Sequence, residues 1–209
     1  GPGYVPQTYQ VCRRFEDIQF DTLPNAFVIK TNHDSGSVLP VRDKSALSFE
    51  NERRRINKSL EKSYGWLKGE WAYSFVEPQV FVEQHLAPHL DCLPPDYKFY
   101  CISGVFRFCH YISGRGSNTH EQFVDTTGRD MNIGLVPEFK KGRDFRLPEC
   151  WRDMIHIAQK LATSFKLVRI DMYFVEGKIY VGELTFWPKA GVYQGEDQKI
   201  IGQLLDFDR

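Results

Sequence analysis

The stretch VRIDMYFVEGKIYVGELTF, residues 168–186, limits what this chain can fold into more than any other. Two runs rich in β-branched and aromatic residues flank Glu176-Gly177-Lys178, the pattern of a β-hairpin. Arg169, Asp171 and Glu183 nevertheless stand inside those apolar runs, and the register decides whether they act together. With a two-residue turn at Glu176-Gly177, Val175 would face Lys178 and Asp171 would pair with Gly182, which sends Glu183 to the other face. With a three-residue loop and Gly177 in the left-handed region, Val175 faces Ile179, Asp171 faces Glu183 and Arg169 faces Thr185. The second register collects Arg169, Asp171, Glu183 and Thr185 on one side. It leaves Val168, Ile170, Met172, Phe174, Tyr180, Gly182, Leu184 and Phe186 on the other, and this clean partition favours it. Carboxylates directly opposed across strands repel unless a cation joins them. At Cβ separations of about 5 Å, both reach one hard ion such as magnesium, whose oxygen ligands sit at about 2.1 Å. An arginine one step along would meet a phosphate bound to that ion.

With 209 residues, 42% hydrophobic and 14% aromatic, the chain buries a core as one large domain or as a domain with a smaller lobe. Its 27 basic residues balance 27 acidic ones, so no overall field argues for nucleic acid or an anionic membrane surface. No apolar run approaches the ~20 residues of a membrane span, and the start lacks a signal-peptide pattern, so a soluble, cytoplasmic protein is expected. The opening Gly1-Pro2-Gly3 reads as the scar of a tag. Cys12, Cys92, Cys101, Cys109 and Cys150 are odd in number and never form a C-x-x-C pair. Reduced thiols are expected rather than a disulfide framework or zinc ribbon. His85 and His89, with Asp91 behind, have helical ligand spacing, but Pro88 spoils the helix that would align them.

Residues 4–24 lack a sustained period and read as an extended lead-in ending at Leu23-Pro24. NAFVIKT (25–31) is a strand, and NHDSGS (32–37) is a polar turn containing glycine. Lys44 to about Glu61 lacks Gly and Pro and predicts an amphipathic helix with ENERRR on its wet side. PQVFVEQHL (78–86) returns to strand character. YKFYCIS and VFRFCHYI (97–103 and 105–112), separated by Gly104, predict an aromatic hairpin. SGRGSNT (113–119) is a turn, and 126–147 is a loop-rich basic segment. Beyond Pro148, Trp151, Met154, Ile155, Ala158, Leu161, Ala162 and Phe165 keep a helical period that leads into the hairpin, and a short helix from about Asp197 to Leu205 closes the chain. Strands interspersed with few helices indicate an α+β fold.

A metal–phosphate site needs further parts. Lys30 ends an apolar strand and meets the loop His33-Asp34-Ser35-Gly36-Ser37, which offers a cation and backbone amides for phosphates. Glu83, at the end of VFVE, is an acceptor suited to an exocyclic amino group, and Asp96 and Lys98 follow. There is no G-x-x-x-x-G-K-[ST] and no strand-linked G-x-G-x-x-G, so neither a P-loop nor a Rossmann site is supported.

Taken in order, LPNAFVIKTNHDSG, FVEQHL, PPDYKFYCISG and VRIDMYFVEGKIYVGELTFWPKAG resemble the ATP-grasp superfamily, and more narrowly its TupA-like, teichuronopeptide-biosynthesis branch, from about Tyr4 to Leu205. The resemblance implies two antiparallel-sheet lobes clamping a nucleotide: a lead-in at 1–24, a small lobe at 25–86 and a large lobe at 87–209. It places Lys30 on the α/β-phosphates, with Asn32, His33, Ser35 and Gly36 in the loop closing over them. Glu83 would accept from the adenine amino group, with backbone contacts from Gln84, His85 and Leu86. Asp96 would lie near the ribose with Lys98 aimed inward. Asp171 and Glu183, with Thr185, would hold magnesium or manganese, and Arg169 would stabilise the γ-phosphoryl group. Thr185 stands where many ATP-grasp enzymes have Asn, a departure that touches one metal ion. The superfamily's N-terminal lobe is expected to be absent or very short before Tyr4, whether lost, truncated in this sequence or supplied by a partner domain or chain.

The resulting expectation is an ATP- and magnesium-dependent carboxylate–amine ligase working through an acyl phosphate. Arg169, Lys98 and Arg115 are the catalytic candidates, and Arg107 and Arg115 can grip a carboxylate by bidentate pairing. The family likeness points to joining an amino acid or amine to a uronic acid or glycan in cell-envelope polysaccharide synthesis. A kinase of a sugar hydroxyl and a non-catalytic nucleotide-binding module are the alternatives.

Overall fold

The computed structural model describes residues 2–34, 36–62, 65–66, 69–87, 93–115, 118–191 and 197–205. They form two compact units: one is Pro6–His89, the other Gly1–Val5 with Leu90–Arg209.

The first unit is a four-stranded antiparallel sheet. Strands β1 (Thr8–Cys12), β2 (Phe27–Thr31), β3 (Val38–Val41) and β4 (Val80–Gln84) lie in the order β1-β4-β2-β3. Strict alternation sorts β2 and β4. Phe27, Ile29, Val80 and Val82 enter a core with Phe15, Ile18, Leu23, Val41 and Ile56, while Val28, Lys30, Phe81 and Glu83 share the other face. Ile56 comes from helix α1 (Phe49–Leu60), whose outer side is laced by Glu50–Arg53, Glu50–Arg54 and Glu52–Arg55 ion pairs. The ENERRR run is therefore a solvated face, where water screens such pairs and they add little. The segment read as an extended lead-in contributes β1 and two short 3₁₀ turns, Phe15–Asp17 and Phe20–Thr22. Among the described residues, strand β3 pairs only with β2, so Pro40 sits on an edge where its missing N–H leaves no central ladder broken.

The second unit holds a six-stranded sheet. Strands β5 (Asp96–Ile102), β6 (Val105–Ser113), β7 (His120–Val124), β8 (Lys140–Lys141), β9 (Leu167–Val175) and β10 (Lys178–Thr185) lie in the order β10-β9-β5-β6-β7-β8. Every pair is antiparallel except β7–β8. Helix α2 (Trp151–Ala162) buries Trp151, Met154, Ala158 and Ala162 among Phe99, Phe106, Val168, Ile170 and Met172. Each large side chain buried there stabilises by about 1.5–3 kcal/mol. Tyr100, Phe108 and Phe123 form a second core on the opposite face with Ile133, Leu135, Val136 and Ile201, the last from helix α3 (Gln198–Leu204). The turn Pro2–Tyr4 lies beside β10. No described helix is long and apolar enough to cross a membrane.

The hairpin closes differently from the expected three-residue loop. Val175 pairs with Lys178 across a two-residue turn in which Glu176 (φ 51°) and Gly177 (φ 76°) are both left-handed. That is the type I′ geometry matching strand twist. Pairing continues Phe174–Ile179, Tyr173–Tyr180 and Met172–Val181, and then the register slips so that Asp171 faces Glu183 and Arg169 faces Thr185. The slip is a β-bulge at Gly182. Before the bulge, Ile179 and Val181 face the α2 core while Tyr180 pairs with Tyr173 on the other side, which corrects the expected apolar placement of Tyr180 and Gly182. Beyond it, the expected pairing of charges is restored.

Candidate active site

In the second unit, one cross-strand row runs Glu183–Asp171–Lys98–His110–Phe123 through β10, β9, β5, β6 and β7. These residues share the face away from α2 because each occupies a directly opposed position in its ladder. Asp171, 2% exposed, is the centre of an ion network. Arg169 grips it with Nε on Oδ1 at 2.6 Å and Nη2 on Oδ2 at 2.8 Å, and Lys98 Nζ bonds Oδ2 as well. Burial works against this carboxylate's charge, but Lys98 and Arg169 outweigh it and hold its pKa at about 2. Arg169 Nη2 also donates to Thr185 Oγ1 at 2.9 Å, and that hydroxyl donates to Glu183 Oε1 at 2.7 Å. One continuous chain of bonds therefore links Lys98, Asp171, Arg169, Thr185 and Glu183.

Asp96 extends the cluster. It accepts from Arg115 Nε and from Tyr173, and lies 3.6 Å from Lys98 Nζ. Burial, with Asp96 and Asp171 nearby, pushes the Tyr173 phenol well above its ordinary range, so it stays a neutral donor. Arg115 is anchored through Nε alone among the described residues, with its side chain 37% exposed. Arg107 is the extra residue of a bulge between the pairs Tyr100–Phe108 and Cys101–Phe106.

In the first unit, Lys30 forms an ion pair with Glu83 on the sheet face away from α1. The loop after Lys30 is tied down by its own side chains. Asn32 Nδ2 donates to the Glu77 carbonyl at 3.0 Å, and Asn32 Oδ1 accepts from Gln79 N at 2.8 Å. His33 is buried with Nε2 3.0 Å from the Ser59 carbonyl. Asp34 accepts from the hydroxyls of Thr31, Ser37 and Ser59. These hydroxyls outweigh partial burial and keep its carboxyl below the usual range. Gly36 has φ 102°, a conformation that favours glycine, and Ser35 lies outside the described residues. Past Glu83, the Gln84 amide donates to the Gln7 carbonyl at 2.8 Å, and buried His85 accepts from Ala87 N at 3.2 Å, with Leu86 half-buried between them. His89, Asp91 and Cys92 lie outside the described residues, while Cys12, Cys101, Cys109 and Cys150 are free thiols.

The hairpin reading placed Arg169, Asp171, Glu183 and Thr185 on one face, and the structure does so too. Sequence reading also named Asp96, Lys98 and Arg115 but did not join them to that cluster. It missed Tyr173, the Asp34 hydroxyl cluster and a buried His110–Glu121 pair, with Nε2 2.9 Å from Oε2. Gly182 inside a strand was the available signal for the bulge, since an isolated strand glycine marks such a site.

Among the described residues, no group of three or more His, Cys, Asp or Glu side chains could hold a metal by itself. Asp171 and Glu183 with the Thr185 hydroxyl are instead a short set of hard oxygen donors. That set suits an ion such as magnesium, which keeps waters and shares its ligands with substrate phosphates.

The sequence matches the TupA-like ATP-grasp family over residues 4–205. No curated protein matches the chain. By structure it is similar to the D-alanine–D-alanine ligase of Bacillus anthracis complexed with ATP (TM-score 0.53, 17% identity, covering 99% of this chain and 59% of that one). A second structure of D-alanine–D-alanine ligase from Bacillus anthracis gives TM-score 0.51 and 16% identity over 98% of this chain and 60% of the other. The chain therefore spans about three fifths of these ligases, and at such identities the likeness is one of fold. The family match covers nearly the whole sequence, and the two-sheet α+β architecture agrees with it: this chain belongs to the TupA-like ATP-grasp family.

Proposed function

We propose that this chain carries the nucleotide and metal machinery of an ATP-dependent carboxylate–amine ligase that works through an acyl phosphate. The observation that carries the reading is the opposition of Asp171 and Glu183, with Arg169 and Lys98 beside them, on one face of the second unit's sheet. Magnesium, or manganese, held by Asp171, Glu183 and Thr185 would supply charge neutralisation on the transferred phosphoryl group. Lys98 and Arg169 keep Asp171 ionised and present two fixed cations where phosphate charge accumulates, so little reorganisation accompanies transfer. Arg115, oriented by Asp96, directs its remaining guanidinium nitrogens at a substrate carboxylate. In the first unit, Lys30 and the loop through Gly36 serve the nucleotide's phosphates, and Glu83, Gln84, His85 and Leu86 serve the base. Membership of the TupA-like family suggests a uronic acid or glycan carboxylate and an amino acid or other amine, in cell-envelope polysaccharide synthesis. A further domain or chain would complete the substrate site.

The test is ATP turnover with a panel of uronic acids and amino acids, with hydroxylamine present to trap any acyl phosphate as a hydroxamate. Carboxylate-dependent hydroxamate and ADP in equal amounts support the ligase. A stable phosphorylated sugar with no dependence on a nucleophile would replace it by a kinase, and ATP binding without turnover on any acceptor by a non-catalytic module.

A further inference from the structure

His110 is a buried titratable group that the mechanism above leaves unused. It stands directly opposite Lys98 across the β5–β6 ladder, in the same row as Asp171 and Glu183, and is 4% exposed. Two contacts fix its ring. The imidazole stacks on Phe123 with centroids 4.1 Å apart and planes 15° from parallel. Its Nε2 lies 2.9 Å from Glu121 Oε2. Glu121 is itself immobilised, because its other oxygen accepts from the amides of Leu135 at 2.7 Å and Val136 at 2.9 Å. Burial opposes ionisation of Glu121, but His110 and these amides outweigh it and hold the carboxyl low, so Glu121 is an acceptor. The shared proton then belongs to His110 Nε2, and a neutral imidazole has only one N–H. Nδ1 carries a lone pair, and no described residue hydrogen-bonds it.

The charged groups facing this ring are Glu121 from β7, Lys98 from β5 and Arg169 from β9. Burial and the two cations disfavour the imidazolium more than Glu121 favours it, which lowers the pKa and leaves His110 in its basic form at neutral pH. Lys98 is ion-paired with Asp171, which also accepts from Arg169, so neither serves as the base.

We infer that His110 accepts a proton from the incoming amine, with Glu121 holding the ring so that the Nδ1 lone pair meets the nucleophile. The inference rests on the ligase reading. An alkylammonium cannot attack until it loses a proton. His110 Nδ1 takes that proton and becomes an imidazolium steadied by Glu121, the arrangement in which a carboxylate orients a basic histidine. The freed nitrogen pair forms the C–N bond to the acyl phosphate carbon, and the C–O bond to phosphate breaks. The second ammonium proton leaves on the departing phosphate, giving amide, inorganic phosphate and protonated His110.

Hydroxylamine, neutral at neutral pH, needs no such base, so the ratio of amide to hydroxamate formation isolates the step. With uronic acids as carboxylates and amino acids or hydroxylamine as nucleophiles, His110→Gln is expected to lower that ratio about 100-fold or more at pH 7, within the usual range for a positioned acid–base group. Glu121→Gln keeps an acceptor for the Leu135 and Val136 amides and is expected to lower the ratio about 10-fold, with a shifted pH profile. An unchanged ratio in both variants, or in Glu121→Gln if His110→Gln does not fold, overturns the inference and leaves the ligase reading intact. Absence of hydroxamate with the wild-type chain overturns the ligase reading and this inference with it.

Discussion

Replacing Asp171 by Asn tests the ion network at its most quantitative point. At neutral pH the variant leaves Lys98 and Arg169 facing a neutral amide in a buried setting, and removing one partner of such a pair typically costs about 3–5 kcal/mol. For a chain of this size that lowers Tm by about 10 °C. The pH dependence carries the sharper signature. The Asp171 pKa is about 2 in the folded protein against 3.8 ordinarily, which corresponds to about 2 kcal/mol of linked stability. Because the folded value lies below the unfolded one, this contribution is complete above the unfolded pKa and is lost as pH falls through the folded pKa. Urea titrations of the wild-type chain and Asp171→Asn between pH 6 and pH 2.5 should therefore show their stability difference narrowing toward the acid end. Other carboxylates titrate in the same range, but they titrate in both proteins and cancel in the difference. A stability difference that stays constant with pH would refute the claim that Asp171 is held ionised by Lys98 and Arg169.

Gly182→Ala probes the bulge. A Cβ there would lie 2.6 Å from Tyr173 Cε2, and Asp96 holds the Tyr173 phenol, so overpacking is expected to cost about 1–3 kcal/mol in thermal melts. The loss should largely vanish in a Tyr173→Leu background, and an equal loss in both backgrounds would show that the ring is not the obstacle. Lys30→Met removes a cation assigned to the nucleotide phosphates. Loss of one charge-assisted contact of about 1.5–3 kcal/mol should weaken nucleotide binding about 10- to 100-fold in a fluorescence titration while far-UV circular dichroism is unchanged. Wild-type affinity in that variant would remove Lys30 from the site.

The charged face could be read from alternation because β9 sets Arg169 and Asp171 out of phase with Val168, Ile170 and Met172. β1 could not, since it is an edge strand whose residues are half-buried or exposed and show no alternation. β3 is four residues long and contains Pro40, which argues against a central strand but is tolerated at an edge. The hairpin teaches something more specific. The pairing of Asp171 with Glu183 was inferred from a three-residue loop, whereas the molecule uses a two-residue turn and restores the same register with an extra residue at Gly182. Polarity fixed which residues must share a face, but two backbone devices satisfy that requirement, and the strand glycine distinguishes them. His110 and Glu121 carry no motif, being 11 residues apart on β6 and β7, and only the ladder register brings them together.

Asp171 and Glu183 are proposed to form a platform for a metal–nucleotide complex. Its most direct test is manganese binding followed by electron paramagnetic resonance, with and without a non-hydrolysable ATP analogue, in the wild-type chain and in Glu183→Gln. Manganese capture should depend on the nucleotide in the wild type and fall at least 10-fold in Glu183→Gln, with the fold retained. Equal capture by both proteins would contradict the proposal.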